Sequence, residues 1–241
     1  MEEKLLNQSD ETAIPETGTA DEQPEGRSSR RSLGLQARSR ERVDQLLAAA
    51  ETLVVTHGFD GLKMRELARS AGLPIASIYH YFPSNAAVLR ALAERHLADL
   101  QVVIAESMEL HMSGLATAEQ APEAVGRVVH DVARYLSSRP ATATIWDALR
   151  AVPELRALDM EDTAANARFI EPYMARVIED ASPAELADFC LILVEALQSN
   201  LMVIMHSNPE RQESLIQSLS RFASATMRGF QLQNPSSSGR I

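Results

Sequence analysis

Residues 58–84 read GFDGLKMRELARSAGLPIASIYHYFPS, and this stretch decides the fold. Its apolar residues recur three and four positions apart, which predicts two short helices at about 63–70 and 74–80. Gly72 allows a tight turn between them, and Pro74 is tolerated at the first position of the second helix. Two short helices joined in this way are typical of a helix-turn-helix. The side chains expected to face its core are Met64, Leu67, Ala68, Ile75, Ile78 and Tyr79.

The residues before this stretch predict a third helix, at about 39–57, of the kind that holds a DNA-reading helix from behind. Gly58 follows it directly, as glycine often does after a helix C-terminus. One apolar stripe at helical spacing is formed by Val43, Leu46, Leu47, Ala50, Leu53 and Val54.

The residues after the stretch predict helices and no strand, because apolar residues keep the helical spacing and no alternating run occurs. Ser84 caps a long helix that reaches about His111. Further helices are predicted near 121–137, 141–150, 154–179, 183–206 and 209–231. Ser182-Pro183 with Glu185 has the spacing of a capping box, and Asn208-Pro209 repeats the cap and proline. The predicted fold class is all-α.

Charge is distributed unevenly along the chain. The formal net charge of −10 argues against a nucleic-acid partner. Residues 1–26, however, hold eight acids against one lysine, whereas residues 27–95 hold eleven Lys and Arg against six Asp and Glu. Only this second segment, with a net charge of +5, suits phosphates.

Composition also bounds the compartment and the ordered part of the chain. No uninterrupted apolar stretch of membrane-spanning length and no signal peptide is recognised, so we expect a cytoplasmic protein without a membrane partner. Residues 1–36 have almost no apolar periodicity and are predicted to be disordered, and the Ser-rich end, 233–241, to be mobile. The single cysteine, Cys190, is expected to be a buried, unreactive thiol, with redox sensing as the lesser alternative.

Residues 42–92 resemble the DNA-binding domain of the TetR family of transcriptional regulators. The resemblance is carried by the motifs Gly-Phe, Leu-Ala, Ala-Gly-Leu and Ile-Tyr-x-Tyr-Phe, in this order. The resemblance implies an N-terminal helix-turn-helix domain at 37–83 and a C-terminal helical ligand-binding and dimerisation domain at 84–232. It further implies a homodimeric repressor that binds a palindromic operator in double-stranded DNA and is released by a small molecule.

The resemblance also implies roles for single residues. Ile75, Ala76 and Ser77 would face base edges, although Ile75 is equally well interpreted as a core residue. Tyr79 and Tyr81 would contact phosphates, and Phe82 would only pack. The predicted DNA-binding residues are Arg38, Arg40, Lys63, Arg65, Ile75, Ala76, Ser77, Tyr79, His80, Tyr81 and Asn85.

Three departures from the family pattern put base preference and affinity in doubt. Lys63 stands where a capping Thr or Ser is usual, so a phosphate-seeking ammonium replaces a hydroxyl cap. Pro74 and Ala76 stand where Ser and Gly are usual, and Asn85 where a phosphate-binding lysine is frequent. A run of arginines has two interpretations, a solvated tail or an arm on DNA, of which we favour the arm. The run comprises Arg27, Arg30, Arg31, Arg38, Arg40 and Arg42.

The last two long helices carry wide apolar bands, which suit either a homodimer interface or the core of one chain. These bands are Leu186, Phe189, Leu193, Val194, Leu197, Leu201, Ile204 and Met205, then Leu215, Ile216, Leu219, Phe222, Ala223 and Phe230. The middle helices would enclose an unidentified, largely apolar effector. Its predicted contacts are Met108, His111, Met112, Trp146, Arg150, Asn166, Phe169, Tyr173 and Met202.

Two other classes of function are weighed. An enzyme is disfavoured because the sequence lacks a phosphate-binding glycine loop, a nucleophile elbow and any metal-ligand spacing, so no cofactor or metal is expected. A helical protein whose helix-turn-helix no longer binds DNA is suggested by Lys63, Pro74 and Asn85. A salt-dependent mobility shift distinguishes that protein from a repressor.

Overall fold

A computed structural model of the chain describes residues 25–178 and 180–234. These residues form helices without a strand, which confirms the predicted all-α class. They belong to two compact units, residues 1–41 and 42–241. The helices are α1 (Glu25–His57), α2 (Met64–Ala71), α3 (Ile75–Tyr81), α4 (Asn85–Met112), α5 (Ala121–Ser137), α6 (Ala141–Ala151), α7 (Pro153–Ala175), α8 (Pro183–Met205) and α9 (Pro209–Gln233).

Helix α1 begins well before the predicted start near residue 39. It starts at Glu25, inside the segment that the sequence predicted to be disordered. Extending a helix costs less free energy than nucleating one, and arginine and leucine have good helix propensity, so apolar periodicity underestimated the helix. Residues 1–24 and 235–241 lie outside the described residues. Further along the chain, α7 stops at Ala175 rather than near residue 179.

Two glycines with positive φ shape the helix-turn-helix. Gly58, with φ 68°, directly follows α1, and Gly72, with φ 65°, ends α2. The Leu73 amide then donates to the Ala68 carbonyl at 3.0 Å, so the chain reverses within one turn. The fully buried side chains of Leu67 and Ile78 hold α2 and α3 against the core.

The helix starts agree with the sequence in most details. Ser84 Oγ accepts from the Ala87 amide at 3.1 Å and caps α4. Ser182 and Glu185 form the predicted capping box at α8. Two expectations were wrong: Pro74 is the residue before α3 rather than its first, and the Asn208 side chain makes no capping hydrogen bond to α9.

Helices α5 and α9 lie close together at Gly126. A Cβ atom at this position would lie 3.1 Å from the Ser220 carbonyl oxygen and even closer to Ser224 Oγ. The glycine therefore sets the spacing of this helix pair.

Gly126→Val is expected to lower the free energy of unfolding by about 1–3 kcal/mol, because its methyl groups would meet the backbone of α9. Gly229→Val is the matched control, since a Cβ at Gly229 has no neighbour within 4 Å. Urea unfolding of both variants measures the difference. Equal stability of the two variants would contradict a close approach at Gly126.

Helix α8 is long and apolar enough to cross a membrane by length and composition, although the sequence contains no uninterrupted apolar stretch of that length. Only 22% of its most apolar stretch is buried within the chain. Leu193 and Leu201 pack into the core, while Ile192 and Val203 are exposed. Helix α8 therefore serves the core on one side and leaves an apolar surface on the other.

Candidate functional site

Helix α3 presents an exposed surface in front of a buried anchor. Ile78 is completely buried, whereas Ile75 and Tyr79 are 39% and 52% exposed and Ala76 is also exposed. The expectation that Ile75 and Tyr79 face the core was therefore wrong. Ile78 and Tyr81 lie three positions apart on one face of this seven-residue helix, so Ile75, Ala76 and Tyr79 are left at the surface. Of the two interpretations left open for Ile75, the structure favours the surface one.

Four of the predicted DNA-binding residues come together around one surface groove. Lys63 and Arg65 reach it from the start of α2, Tyr79 from α3, and Asn85 from the start of α4. Helix N-termini carry free amide groups and a partial positive charge, so both helix starts add to the attraction of this groove for anions. The lining is completed by Met64, Glu66, Pro83 and Ser84.

The cations of this groove are available to a ligand. Lys63 and Arg65 are exposed, and neither forms an ion pair with any residue that the structure describes. Glu66, the acid in the groove lining, is already paired with Arg69 on the same helix. The net effect is a surface that can accept phosphate oxygens.

The other predicted DNA-binding residues are placed as follows. Ser77 and Tyr81 are half-buried, and Tyr81 packs against the core. His80 is exposed and lies edge-on to Tyr81, with 5.1 Å between ring centroids. Phe82 is buried, in agreement with a packing role. Arg38 and Arg40 are exposed within the first compact unit.

Helices α4 to α8 enclose an apolar cavity of about 100 Å³. Of the nine predicted effector contacts, Met108, Trp146 and Asn166 line it. Sequence reasoning missed Gln198 and a stripe on α5. The stripe comprises Val125, Val128, Val129 and Val132, and its helical spacing was visible in the sequence.

Six predicted effector contacts lie outside the cavity wall. On α7 the cavity is lined by Ile170 and Met174 instead of their neighbours Phe169 and Tyr173, because adjacent helical residues point about 100° apart. The same offset places Leu201 in the wall instead of Met202. The remaining three are the buried Met112, the exposed Arg150, and His111, whose Nε2 lies 2.9 Å from Asp131 Oδ2.

A polar network adjoins the cavity on α7. Asn166 accepts a hydrogen bond from Gln101 and donates one to Asp162 Oδ2 at 2.8 Å. Thr163 Oγ1 lies 2.8 Å from Gln198 Oε1. Burial, followed by the charge of Asp159, raises the pKa of Asp162 to about 6. Above pH 6, ionised Asp162 therefore lowers the stability of the folded state.

Asp162→Asn is expected to stabilise the protein at pH 8. Ionised Asp162 is disfavoured in the folded state, so the wild type gains stability as the pH falls through 6 towards the unfolded pKa of about 4. A pKa raised from 3.8 to about 6 corresponds to roughly 3 kcal/mol. The advantage of the variant should therefore be largest above pH 7 and vanish near pH 4. Urea unfolding across this range tests it, with the exposed Asp60→Asn as control. An advantage that does not change with pH would contradict the raised pKa.

A free thiol and a metal-binding cluster would be two other kinds of reactive site. The Cys190 thiol is fully buried, and burial raises its pKa to about 12, so it stays protonated. No group of three or more His, Cys, Asp or Glu side chains suited to a metal ion occurs in the part of the chain that the structure describes.

Two family profiles match the chain. The profile described as bacterial regulatory proteins, tetR family, matches residues 46–92. The profile described as tetracyclin repressor-like, C-terminal domain, matches residues 119–227. The HTH-type transcriptional repressor NemR of Escherichia coli K12 is 44% identical over 55 residues, which are 23% of this chain and 28% of that protein.

Solved structures show the same fold. The fatty acid degradation regulator FadR from Bacillus halodurans superposes with a TM-score of 0.59 at 16% identity, covering 78% of this chain and 95% of its own. FadR from Bacillus subtilis, solved in complex with stearoyl-CoA, gives a TM-score of 0.59 at 18% identity, covering 77% and 97%. At these identities the likeness concerns the fold.

Proposed function

We propose that this chain, which belongs to the TetR family of bacterial transcriptional regulators, is a homodimeric repressor. It binds a palindromic operator and is released from this DNA by a small molecule. DNA binding and transcriptional regulation come with the family. The dimer, the operator symmetry and the release are the proposal. A cytoplasmic location follows from it, since the operator lies there.

One observation carries the proposal. The exposed face of α3 lies beside a groove that joins Lys63, Arg65 and Tyr79 to two helix N-termini. In protein–DNA interfaces, phosphate contacts fix the register while a protruding helix reads bases in the major groove. The groove supports the first role and α3 the second.

The dimer is supported by the outer surface of α8. Ile192 and Val203 are 69% and 59% exposed and lie three helical turns apart on one face. Exposed apolar patches of this kind mark interaction surfaces. Most of the predicted α8 band, including Leu193 and Leu201, is buried in its own chain. The proposed dimer interface on α8 therefore consists of Ile192 and Val203 instead of that band.

Release by a small molecule is supported by the position of α4. Leu100, Ile104 and Met108 of this helix line the cavity. In the N-terminal half of α4, Arg95 pairs at 2.6 Å with Glu51 of α1, the helix that precedes α2 and α3. A ligand that displaces α4 therefore acts on the DNA-binding helices through a direct contact. The B. subtilis FadR structure shows a related fold with a bound acyl-CoA.

Tyr79→Phe and Ser77→Ala test the division of roles on DNA fragments selected by the protein. Loss of the Tyr79 hydroxyl should weaken binding to all fragments by a similar factor, because a phosphate contact does not read sequence. Ser77→Ala should change the order of preference among fragments. Mobility shifts over a fragment series measure both. A uniform effect of both variants would contradict the assigned roles.

A further inference from the structure

The cavity wall has a distinctive chemistry. None of its side chains is charged, and two of them, Asn166 and Gln198, carry amides. The rest of the wall is aliphatic, thioether or indole surface. A ligand in this cavity gives up water for a surface that offers few hydrogen bonds and no counter-charge.

The two amides differ in what they can still bind. The Asn166 amide accepts from Gln101 and donates to Asp162, so the network already uses both ends of it. Gln198 has one hydrogen-bond contact among the described residues, to Thr163. A primary amide has two N–H donors and two acceptor lone pairs. By this count Gln198 retains two donors and one lone pair at the cavity wall, whereas Asn166 retains one of each.

Charge decides which head group can meet Gln198. An anionic head group would lose its hydration without a lysine, arginine or histidine in the wall. It would also lie near the acidic Asp162, one helical turn from Asn166. A cation would find no carboxylate in the wall, because Asp162 does not line the cavity.

We infer that the effector is a small uncharged molecule with an apolar body and one hydrogen-bonding oxygen, such as a hydroxyl or carbonyl, that meets Gln198. The inference rests on the proposed ligand-released function. The cavity of about 100 Å³ limits the size of the apolar body. An apolar cavity of about 150 Å³ admits benzene, so even a single ring must push the helices slightly apart.

Four probes with one shared ring test this inference: benzyl alcohol, benzoate, benzylamine and toluene. Trp146, the single tryptophan of the chain, lines the cavity and reports binding by its fluorescence. At neutral pH, benzyl alcohol should bind at least about tenfold tighter than either charged probe, since neither charge is compensated.

Gln198→Met keeps the side-chain length and removes the amide. It should weaken benzyl alcohol about fivefold to tenfold and leave toluene unchanged, because toluene makes no hydrogen bond. Gln217→Met, which removes an exposed amide from α9, is the matched control. Thermal unfolding of both variants checks that they fold.

The inference would be overturned if a charged probe bound most tightly, or if no probe bound. It would also be overturned if Gln198→Met lowered the affinity for benzyl alcohol and for toluene by the same factor. Operator affinity is measured separately with and without benzyl alcohol. Probes that bind in the expected order but leave operator affinity unchanged would contradict release by ligand while leaving the ligand class intact. The two failures are thus distinguishable.

Discussion

Replacing Lys63 and Arg65 together by glutamate is expected to reduce operator affinity by at least about 100-fold. Each cation is exposed and free of ion pairs among the described residues, beside the N-termini of α2 and α4. A charge-assisted hydrogen bond contributes about 1.5–3 kcal/mol, so the loss of two gives roughly two to four orders of magnitude. The slope of log affinity against log salt should also fall by about four, because each protomer of the proposed dimer loses two phosphate contacts. Fluorescence anisotropy over a salt series measures both effects.

The control for this variant changes the same charge elsewhere. Arg127 and Arg134 lie on α5, where they pair with Glu123 and Glu213, away from the groove. Replacing these two arginines by glutamate alters the net charge equally and should have a much smaller effect. Similar losses in both double variants would show that total charge, and not the groove, determines binding.

Replacing Ile192 and Val203 together by aspartate is expected to convert the protein to a monomer and to weaken operator binding about 1,000-fold. Four carboxylates would face each other across a two-fold interface, and burying them unpaired is costly. Two linked half-site contacts exceed a single one by about 10² to 10⁴ in affinity, which the monomer forfeits. Sedimentation equilibrium gives the mass, and a mobility shift gives the affinity.

Met160→Asp with Leu110→Asp is the matched control for the dimer variant. Both side chains are exposed and apolar, but they belong to α7 and α4. This control should remain dimeric and bind DNA normally. A wild-type protein that is already monomeric at micromolar concentration with intact helicity would contradict the proposed interface.

Most helix boundaries could be predicted because local chemistry determines them. Gly58, Gly72, Ser84 and the Ser182–Glu185 capping box all terminate or begin helices at the predicted positions. The start of α1 could not be found in this way. The sequence of its first residues has no apolar periodicity, and extending a helix costs less free energy than nucleating one, so the helix can continue where that signal is missing.

The cavity contacts were harder to predict because a cavity wall depends on helix rotation. Phe169 and Ile170 are neighbours in sequence, yet only Ile170 lines the cavity. Helical periodicity identifies an apolar face but does not show which helix that face meets. Ile75 has the same ambiguity, since α3 is held against the core by Ile78 and Tyr81 and leaves Ile75 at the surface.

Selection of genomic DNA fragments by the purified full chain tests the central claim most directly. The protein with both Lys63→Glu and Arg65→Glu is carried through the same selection. We expect the wild-type chain to enrich a small set of fragments that share a two-fold symmetric sequence, and the doubly substituted chain to enrich none of them. Equal enrichment by the two proteins, or a shared sequence without two-fold symmetry, would contradict a dimer that reads DNA with α3 and holds phosphates in the groove beside it.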